Sequence, residues 1–243
     1  MTTISLPPSL EQAKIPSLPS TAYYIPDFIS EDEERMILDK TSAAPRPRWK
    51  QLTHRRLQTW PSDLVQDRLL DAPLPHGSRL PSYHACSRSR RWKTMMAIDT
   101  FSPKAPTSAR TTSSSTNIHR VLDGAAYWPV VCTVSLGASL CLNLYRSKED
   151  GALDPEPAWR ILQEPRSLLI TTDSLYTDFL HGISDIEEDI DLSAESIVNW
   201  SLLRDPESFS DGRNVRQTRI SLTYRDVLKV SKVGNKLGLF QKR

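Results

Sequence analysis

Apolar and polar residues alternate over short stretches along most of the chain, with Pro, Asp and Ser residues between them. Such stretches are typical of β-strands. Many short strands without long intervening helices predict a mainly β fold, a sandwich or jelly roll. The predicted strands are residues 23–25, 130–136, 140–145, 167–171, 176–180 and 219–224.

One segment near the start of the chain carries helical signals instead. Ser30 and Glu33 have the spacing of a capping box, and the acidic residues around them suit the first turn of a helix. We therefore expect a helix that begins near Ser30 and ends before Pro45. Its residues Met36 and Ile37 are predicted to face the core.

Two other parts of the chain lack a regular period. Residues 1–20 are rich in Pro and Ser, which predicts a disordered tail before a single domain at residues 21–243. Residues 82–122 also predict disorder, and eight Ser and six Thr lie within residues 81–120. A structureless insert of about 40 residues is unusual within a compact domain, so this segment is anomalous. Residues 185–191 are acidic and predict a loop with a short helix.

The net charge of +2 comes from the same anomalous segment. Residues 81–120 hold seven basic residues and one acid, whereas the remainder holds 24 basic and 28 acidic residues. The charge alone therefore does not indicate nucleic-acid binding.

The three cysteines have no metal or redox spacing, and no apolar run approaches the roughly 20 residues of a membrane span. We expect a protein of the nucleus or cytoplasm that does not enter a membrane.

Residues 46–60 mix cationic side chains with two tryptophans. Trp49, Lys50, Arg55 and Trp60 have the chemistry to contact nucleic acid, because cations bind phosphates and indole rings stack on bases. The alternative is a solvated loop whose two tryptophans are anchored on the core.

Residues 219–225 have two chemically different faces. The β period places apolar side chains on one face and Arg219, Ser221, Thr223 and Arg225 on the other. Arginines that face into a jelly roll need an anion, because an unpaired buried charge is costly. A dicarboxylate would supply it through paired hydrogen bonds. A surface strand with solvated arginines is the alternative.

Asp123 precedes a predicted strand and His181 follows one. Together with the late arginine strand, they match the skeleton of a 2-His-1-carboxylate iron site. The third ligand of such a site belongs two residues before the carboxylate. That position is Val121, which cannot bind a metal.

The chain resembles AlkB homologues, most closely the AlkB homologue six subfamily, over roughly residues 22–82 and 123–230. The matching sequences are YYIPDFISEDEE, PRPRWKQLTHRRLQTW, DGAAYWPVVCTVSLG, EPRSLL, LHGI and TRISLTYR. The resemblance implies a double-stranded β-helix, or jelly roll, with an N-terminal helix packed on its major sheet. It also implies a dioxygenase that uses Fe(II), 2-oxoglutarate and O₂. Carried over by position, the iron ligands are Asp123 and His181, the 2-oxoglutarate ligands are Arg219, Ser221 and Arg225, and the substrate-binding residues are Trp49, Lys50, Arg55 and Trp60.

One motif departs from the family pattern. The family reads roughly LVNEYPPGxGIMPHEDG where this chain reads SSSTNIHRVLDG. A shifted or mis-spliced reading frame explains the difference, because codons permitted for residues 111–122 give NVLVNEYPPGV two bases later. On this interpretation residues 82–122 are out of frame; a genuine disordered insert is the alternative. In an extended strand, His119 would point to the same side as the missing ligand. Its distance from Asp123 along an extended chain is about 13 Å, whereas the ligand of the family motif lies about 7 Å from the carboxylate.

The resemblance implies oxidative demethylation or hydroxylation of a methyl group on a nucleic-acid base or a protein. With Val121 in the ligand position, we expect this chain to bind iron poorly and to turn over little. The alternative is a non-catalytic module that binds nucleic acid or protein through residues 46–60.

Overall fold

The computed structural model describes residues 10–19, 21–52, 55–60, 64–65, 68–71, 93–101, 126–146 and 154–232. Strands dominate these residues. They are β1 (Ala22–Ile25), β2 (Lys50–Gln51), β3 (Arg55–Trp60), β4 (Leu64–Val65), β5 (Arg68–Asp71), β6 (Lys93–Phe101), β7 (Tyr127–Leu136), β8 (Leu140–Arg146), β9 (Trp159–Gln163), β10 (Leu168–Thr172), β11 (Phe179–Gly182), β12 (Glu188–Asp189), β13 (Asn214–Val215), β14 (Arg219–Val227) and β15 (Val230–Lys232). The α-helices are α1 (Glu31–Ser42) and α2 (Ser174–Thr177), and short 3-10 turns occupy Leu10–Ala13, Arg46–Arg48, Trp200–Leu202 and Pro206–Phe209.

Two antiparallel sheets face each other and enclose the core. The large sheet has the strand order β1-β10-β7-β14-β6-β3-β2, and the small sheet has the order β11-β8-β9. Side chains join their facing sides: Ser135 on β7 donates to Gln163 on β9 at 2.9 Å, and Tyr24 on β1 donates to Glu164 at 3.0 Å. The predicted mainly β jelly roll is therefore confirmed. Among the described residues, no helix is long and apolar enough to cross a membrane.

Helix α1 covers the outer face of the large sheet. Ile37 is buried and packs with apolar side chains of β1, β6, β7, β10 and β14. The capping box forms, because the Glu33 N–H donates to Ser30 Oγ at 3.2 Å and the Ser30 N–H donates to Glu33 Oε2 at 2.8 Å. The predicted helix is confirmed, but Met36 is 40% exposed, so its predicted core position is wrong. Consecutive helical residues point in different directions, and only one of the two reaches the sheet.

Strand β6 lies in the middle of the large sheet, between β14 and β3, and pairs with β14 along its whole length. Its Met96 and Ile98 are buried in the apolar cluster that Ile37 of α1 forms with the side chains of the large sheet that face the helix. We call this group the cluster under α1. The prediction that residues 82–122 are disordered is therefore wrong for Lys93–Phe101. The strand has a short apolar run, Met95–Ile98, but the cationic and Ser/Thr-rich sequence around it obscured this signal. The rest of the segment lies outside the described residues, and for it the reading-frame interpretation stays a prediction.

The predicted tail also contains ordered residues. Ile15 is buried in the core, and its backbone N–H donates to the Ala22 carbonyl at 2.9 Å. The prediction of disorder over residues 1–20 is therefore wrong for residues 10–19, because this stretch buries apolar side chains against β1. Residues 1–9 and 20 lie outside the described part.

Two local predictions near the small sheet are also wrong. Residues 176–180 are not one strand, since α2 occupies Ser174–Thr177 and β11 begins at Phe179. A short buried apolar run is compatible with either element, and the period alone does not separate them. Residues 185–191 contain the two-residue strand β12, paired with β13, instead of a short helix.

Candidate functional site

Strand β14 presents its polar face to the space between the two sheets, as its alternation predicts. The opposite face, formed by Ile220, Leu222 and Tyr224, is buried in the cluster under α1. The side chains that face the space are Arg219, Ser221, Thr223 and Arg225. The surface-strand alternative is therefore excluded for this strand.

These side chains line a cavity of about 120 Å³. Such a volume is well below the roughly 300 Å³ of a typical drug-sized ligand site and suits a small polar molecule. The large sheet also contributes Val131, Thr133, Asp99 and Arg55, and the small sheet contributes Leu142, Gln163 and His181, with Ile183 beside them.

Arg219 is the most deeply buried cation of the cavity, with 4% of its surface exposed. Its Nη2 donates to Ser135 Oγ at 2.8 Å and to Gln163 Oε1 at 2.7 Å, and both acceptors are neutral. Within the described part of the chain it makes no ion pair, and its Nε–H has no acceptor. Burial lowers the pKa of Arg219 to about 10, against the opposing effect of the Asp99 carboxylate. The side chain is thus charged at neutral pH and has a donor left for an anion.

Arg225 lies at the other end of the same polar face. Its guanidinium carbon lies 5.8 Å from the centroid of the Tyr127 ring, a cation–π distance. Between the two arginines, the hydroxyl groups of Ser221 and Thr223 face the cavity. The arrangement offers cations at both ends and hydroxyl donors between them, which is the polarity that a small dicarboxylate requires.

Arg55 does not lie with the tryptophans of residues 46–60. It points into the cavity, where its Nη1 is 2.5 Å from Asp99 Oδ2 and the two side chains are 21% and 19% exposed. Trp49 packs on the opposite side of the large sheet, against the cluster under α1. The structure therefore separates two residues that the sequence grouped together.

The remaining residues of that group lie at or near the surface. Lys50 is exposed on β2. Arg56, the neighbour of Arg55 on the other face of β3, holds its guanidinium carbon 5.0 Å from the centroid of the Trp49 ring. The Trp60 side chain lies outside the described part of the chain. The predicted substrate-binding role of these residues stays a prediction.

His181 enters the cavity from the small sheet. Its Nε2 lies 2.8 Å from the Leu175 carbonyl oxygen, and a carbonyl only accepts, so Nε2 carries the proton. In the neutral ring Nδ1 carries the lone pair, and a metal-binding histidine commonly donates its other nitrogen to a carbonyl in this way. His181 therefore fits as one metal ligand.

The structure does not complete an iron site. Asp123, Val121 and His119 lie outside the described residues. Among the residues that are described, no three His, Cys, Asp or Glu side chains are grouped to hold a metal ion. The donors present fit a small dicarboxylate well, whereas they supply one ligand for iron.

Sequence reasoning missed three polar residues of the cavity, Asp99, Thr133 and Gln163. Asp99 belongs to the anomalous segment, and Gln163 lies on β9, which is absent from the predicted strands. The sequence signal for β9 is weak, because WRILQ has only the short apolar pair Ile161 and Leu162, and the structure buries the polar Gln163 beside them. A buried Gln needs a partner, and Arg219 provides it.

No family model matches the chain. The chain is 31% identical over 245 residues to "Probable RNA/DNA demethylase ALKBH6" of Danio rerio, with 94% of this chain and 95% of that protein covered. OsALKBH1 aligns with 12% identity and a TM-score of 0.45 over 84% of this chain and 97% of that one. A full-length Neurospora crassa protein, solved in complex with alpha-KG, aligns with 7% identity and a TM-score of 0.42 over 85% of this chain and 73% of that one.

Proposed function

The chain belongs to the AlkB homologue six family of 2-oxoglutarate-dependent dioxygenases, and on that premise we propose that its cavity binds 2-oxoglutarate for the oxidation of a methyl group. The reaction class is oxidative demethylation or hydroxylation. The substrate that we propose is a methylated nucleic-acid base, because the Danio rerio relative is named an RNA/DNA demethylase. A methyl group on a protein is the second substrate class.

The observation that carries this proposal is the environment of Arg219. A buried guanidinium is costly unless an anion accompanies it, and the described residues offer this one only neutral acceptors. One carboxylate of 2-oxoglutarate would accept from the Nε–H of Arg219. The second carboxylate would lie toward Arg225, and the Ser221 and Thr223 hydroxyls would donate between them.

Each part of the cavity has a separate task in this proposal. The arginines and hydroxyls orient the cosubstrate, and Val131, Leu142 and Ile183 exclude water from it. The Leu175 carbonyl fixes the ring tautomer of His181. When bound, 2-oxoglutarate would be oxidised to succinate and CO₂ and would supply two of the four electrons that reduce O₂, and the substrate methyl group would supply the other two.

Binding of 2-oxoglutarate tests the proposal without any need for turnover. Isothermal titration calorimetry is expected to show 2-oxoglutarate binding to the wild-type chain, and Arg219→Met is expected to weaken it about 100-fold or more. Arg213→Met is the matched control, because this arginine is 60% exposed and pairs with Glu188 at the surface. Equal affinities of wild type and the Arg219 variant would exclude the proposed site.

We further propose that this chain turns over poorly, because Val121 stands where the family places a metal-binding histidine. Iron-dependent succinate formation is expected to be low in the wild type and to rise about tenfold or more in Val121→His. Val121→Ala is the control and is expected to change nothing. High activity of the wild type, or no gain in the histidine variant, would contradict this explanation.

The reading-frame interpretation has its own test. Transcript sequencing across residues 102–122 is expected to reveal a form that carries the HxD motif before Gly124. If every transcript encodes the present residues, the segment is a genuine insert, and the Val121→His experiment alone decides the metal question.

A non-catalytic nucleic-acid-binding role is the second candidate, and one observation favours it. Arg56 is exposed and stacks over Trp49 beside the exposed Lys50, which forms a cationic surface with an aromatic base. RNA binding in the presence of a chelator is expected to weaken in Arg56→Gln and Lys50→Gln. Trp49→Ala is a poor test, because that ring also packs against the core. Undiminished binding by both variants would exclude this surface.

A further inference from the structure

The charges that line the cavity are unequal in number. Among the described residues, three arginines (Arg55, Arg219 and Arg225) and one aspartate (Asp99) face it, so these four side chains together carry a net charge of +2. A dicarboxylate carries a charge of −2 at neutral pH. Without Asp99 the same cavity would carry +3 and would suit an ion with one more negative charge.

Asp99 lies between two strands that each carry an arginine. On β14 it is paired with Ser221, so Arg219 is its diagonal neighbour. On β3 it is paired with Leu57, so Arg55 is its diagonal neighbour on the other side. Diagonal neighbours on one face of a sheet are about 7–8 Å apart, within the range of long side chains.

Asp99 contacts one of these two arginines and acts on the other at longer range. Its Oδ2 is 2.5 Å from Arg55 Nη1, whereas Arg219 is engaged by Ser135 and Gln163. The Asp99 carboxylate nevertheless raises the pKa of Arg219, against the larger effect of burial. Asp99 therefore offsets the charge of Arg55 and leaves the Arg219 guanidinium for a ligand.

We infer that the Arg55–Asp99 ion pair is a specificity determinant of the cosubstrate cavity, which sets its charge to select a dianion over monoanions and trianions. The inference rests on the proposed function, because it concerns the same cavity. It assigns Arg55 to cosubstrate selection instead of nucleic-acid contact. It also assigns Asp99 a role that requires its negative charge and not only its shape.

Three carboxylates of increasing charge test the inference by calorimetry: 2-oxopentanoate, 2-oxoglutarate and propane-1,2,3-tricarboxylate. The wild type is expected to bind the dianion most tightly. Asp99→Asn is expected to raise affinity for the trianion about tenfold relative to the dianion, because one negative charge near the ligand is removed. Arg55→Gln is expected to weaken 2-oxoglutarate binding about tenfold, because Asp99 then repels the ligand without compensation.

The double variant Arg55→Gln with Asp99→Asn restores the net charge of +2 and is expected to bind 2-oxoglutarate within about threefold of wild type. Arg35→Gln and Asp32→Asn are matched controls, because they change an ion pair of 2.6 Å on the exposed side of α1, with 72% and 74% exposure. Both controls are expected to leave the order of the three ligands unchanged.

The outcomes separate the inference from the proposed function. If the wild type does not bind 2-oxoglutarate, the proposed function fails. If it binds and Arg219→Met abolishes binding, but Asp99→Asn leaves the order of the three carboxylates unchanged, only the inference fails. Tighter binding of the trianion by the wild type would also overturn it, and that measurement needs no folded variant.

Discussion

Arg216 and Arg219 are three residues apart, and both are almost fully buried, with 3% and 4% of their surface exposed. Arg216 forms a two-point ion pair with Asp189, with Nη2–Oδ1 at 2.6 Å and Nε–Oδ2 at 3.1 Å, and it also donates to the Ser184 carbonyl oxygen. Arg219 donates to Ser135 and Gln163 instead, and makes no ion pair with the described part of the chain.

The difference separates a structural charge from a functional one. A buried guanidinium that faces a carboxylate of its own chain is neutralised when the chain folds. A buried guanidinium that donates only to neutral acceptors has a fixed geometry, but its positive charge is not neutralised by them. The first ties β12 and β13 to the small sheet, and the second prepares the cavity for an anion.

The largest expected effect comes from substitution of Arg216, the structural arginine of the two. Arg216→Met leaves Asp189 as an uncompensated buried charge, so the free energy of unfolding is expected to fall by about 3–5 kcal/mol. Urea denaturation followed by circular dichroism measures this loss. Arg213→Met, at an exposed ion pair, is expected to cost about 0.5 kcal/mol or less. Similar losses in both variants would show that the buried pair has no special structural role.

Ligand-induced stabilisation gives the next largest effect. At a 2-oxoglutarate concentration about 100 times its dissociation constant, the wild type is expected to gain about 2.7 kcal/mol of stability. The Arg219→Met variant is expected to gain about 0.4 kcal/mol or less at the same concentration, because its cavity has lost the buried cation and binds the ligand about 100-fold or more weakly. A thermal melt with and without ligand measures both. An equal gain in both proteins would place the ligand elsewhere.

Cys141 provides a pH-dependent test of the buried region that contains Arg216 and Asp189. Burial raises the pKa of this thiol to about 11, and Asp189 adds to the rise, against the opposing effects of Arg160 and Arg216. Its stabilising contribution is therefore fully present below about pH 9 and is lost as the pH rises through about 11. Between about pH 8 and 10 the wild type is expected to lose about 1 kcal/mol more than Cys141→Ala. Parallel pH profiles of the two proteins would contradict the prediction.

The smallest expected effect is the most informative about Arg219. Without ligand, Arg219→Met is expected to change the free energy of unfolding by less than about 1 kcal/mol, because an apolar chain of similar length replaces a charge that forms no ion pair with the described part of the chain. Ser135 and Gln163 keep their mutual hydrogen bond. A loss as large as that of Arg216→Met would make Arg219 a structural residue, and urea denaturation decides between them.

The local pattern of the sequence determined the elements and their faces. The alternation of residues 219–225 predicted which side chains of β14 face the cavity, because a strand turns successive side chains to opposite faces wherever it lies. The capping box predicted the start of α1, because Ser30 and Glu33 are neighbours in any helix that begins at Ser30. This signal is also local and does not depend on where the helix packs. The family motifs added the iron ligands Asp123 and His181, which remain predictions.

Only the tertiary structure decided which charges neutralise each other. The local sequence does not show that Arg216 has a carboxylate partner, because Asp189 lies 27 residues away on β12. Arg55 and Asp99 are likewise separated by 44 residues and meet only because β3 and β6 are adjacent in the large sheet. An ion pair depends on the distance between two side chains in space, and long-range strand pairing sets that distance.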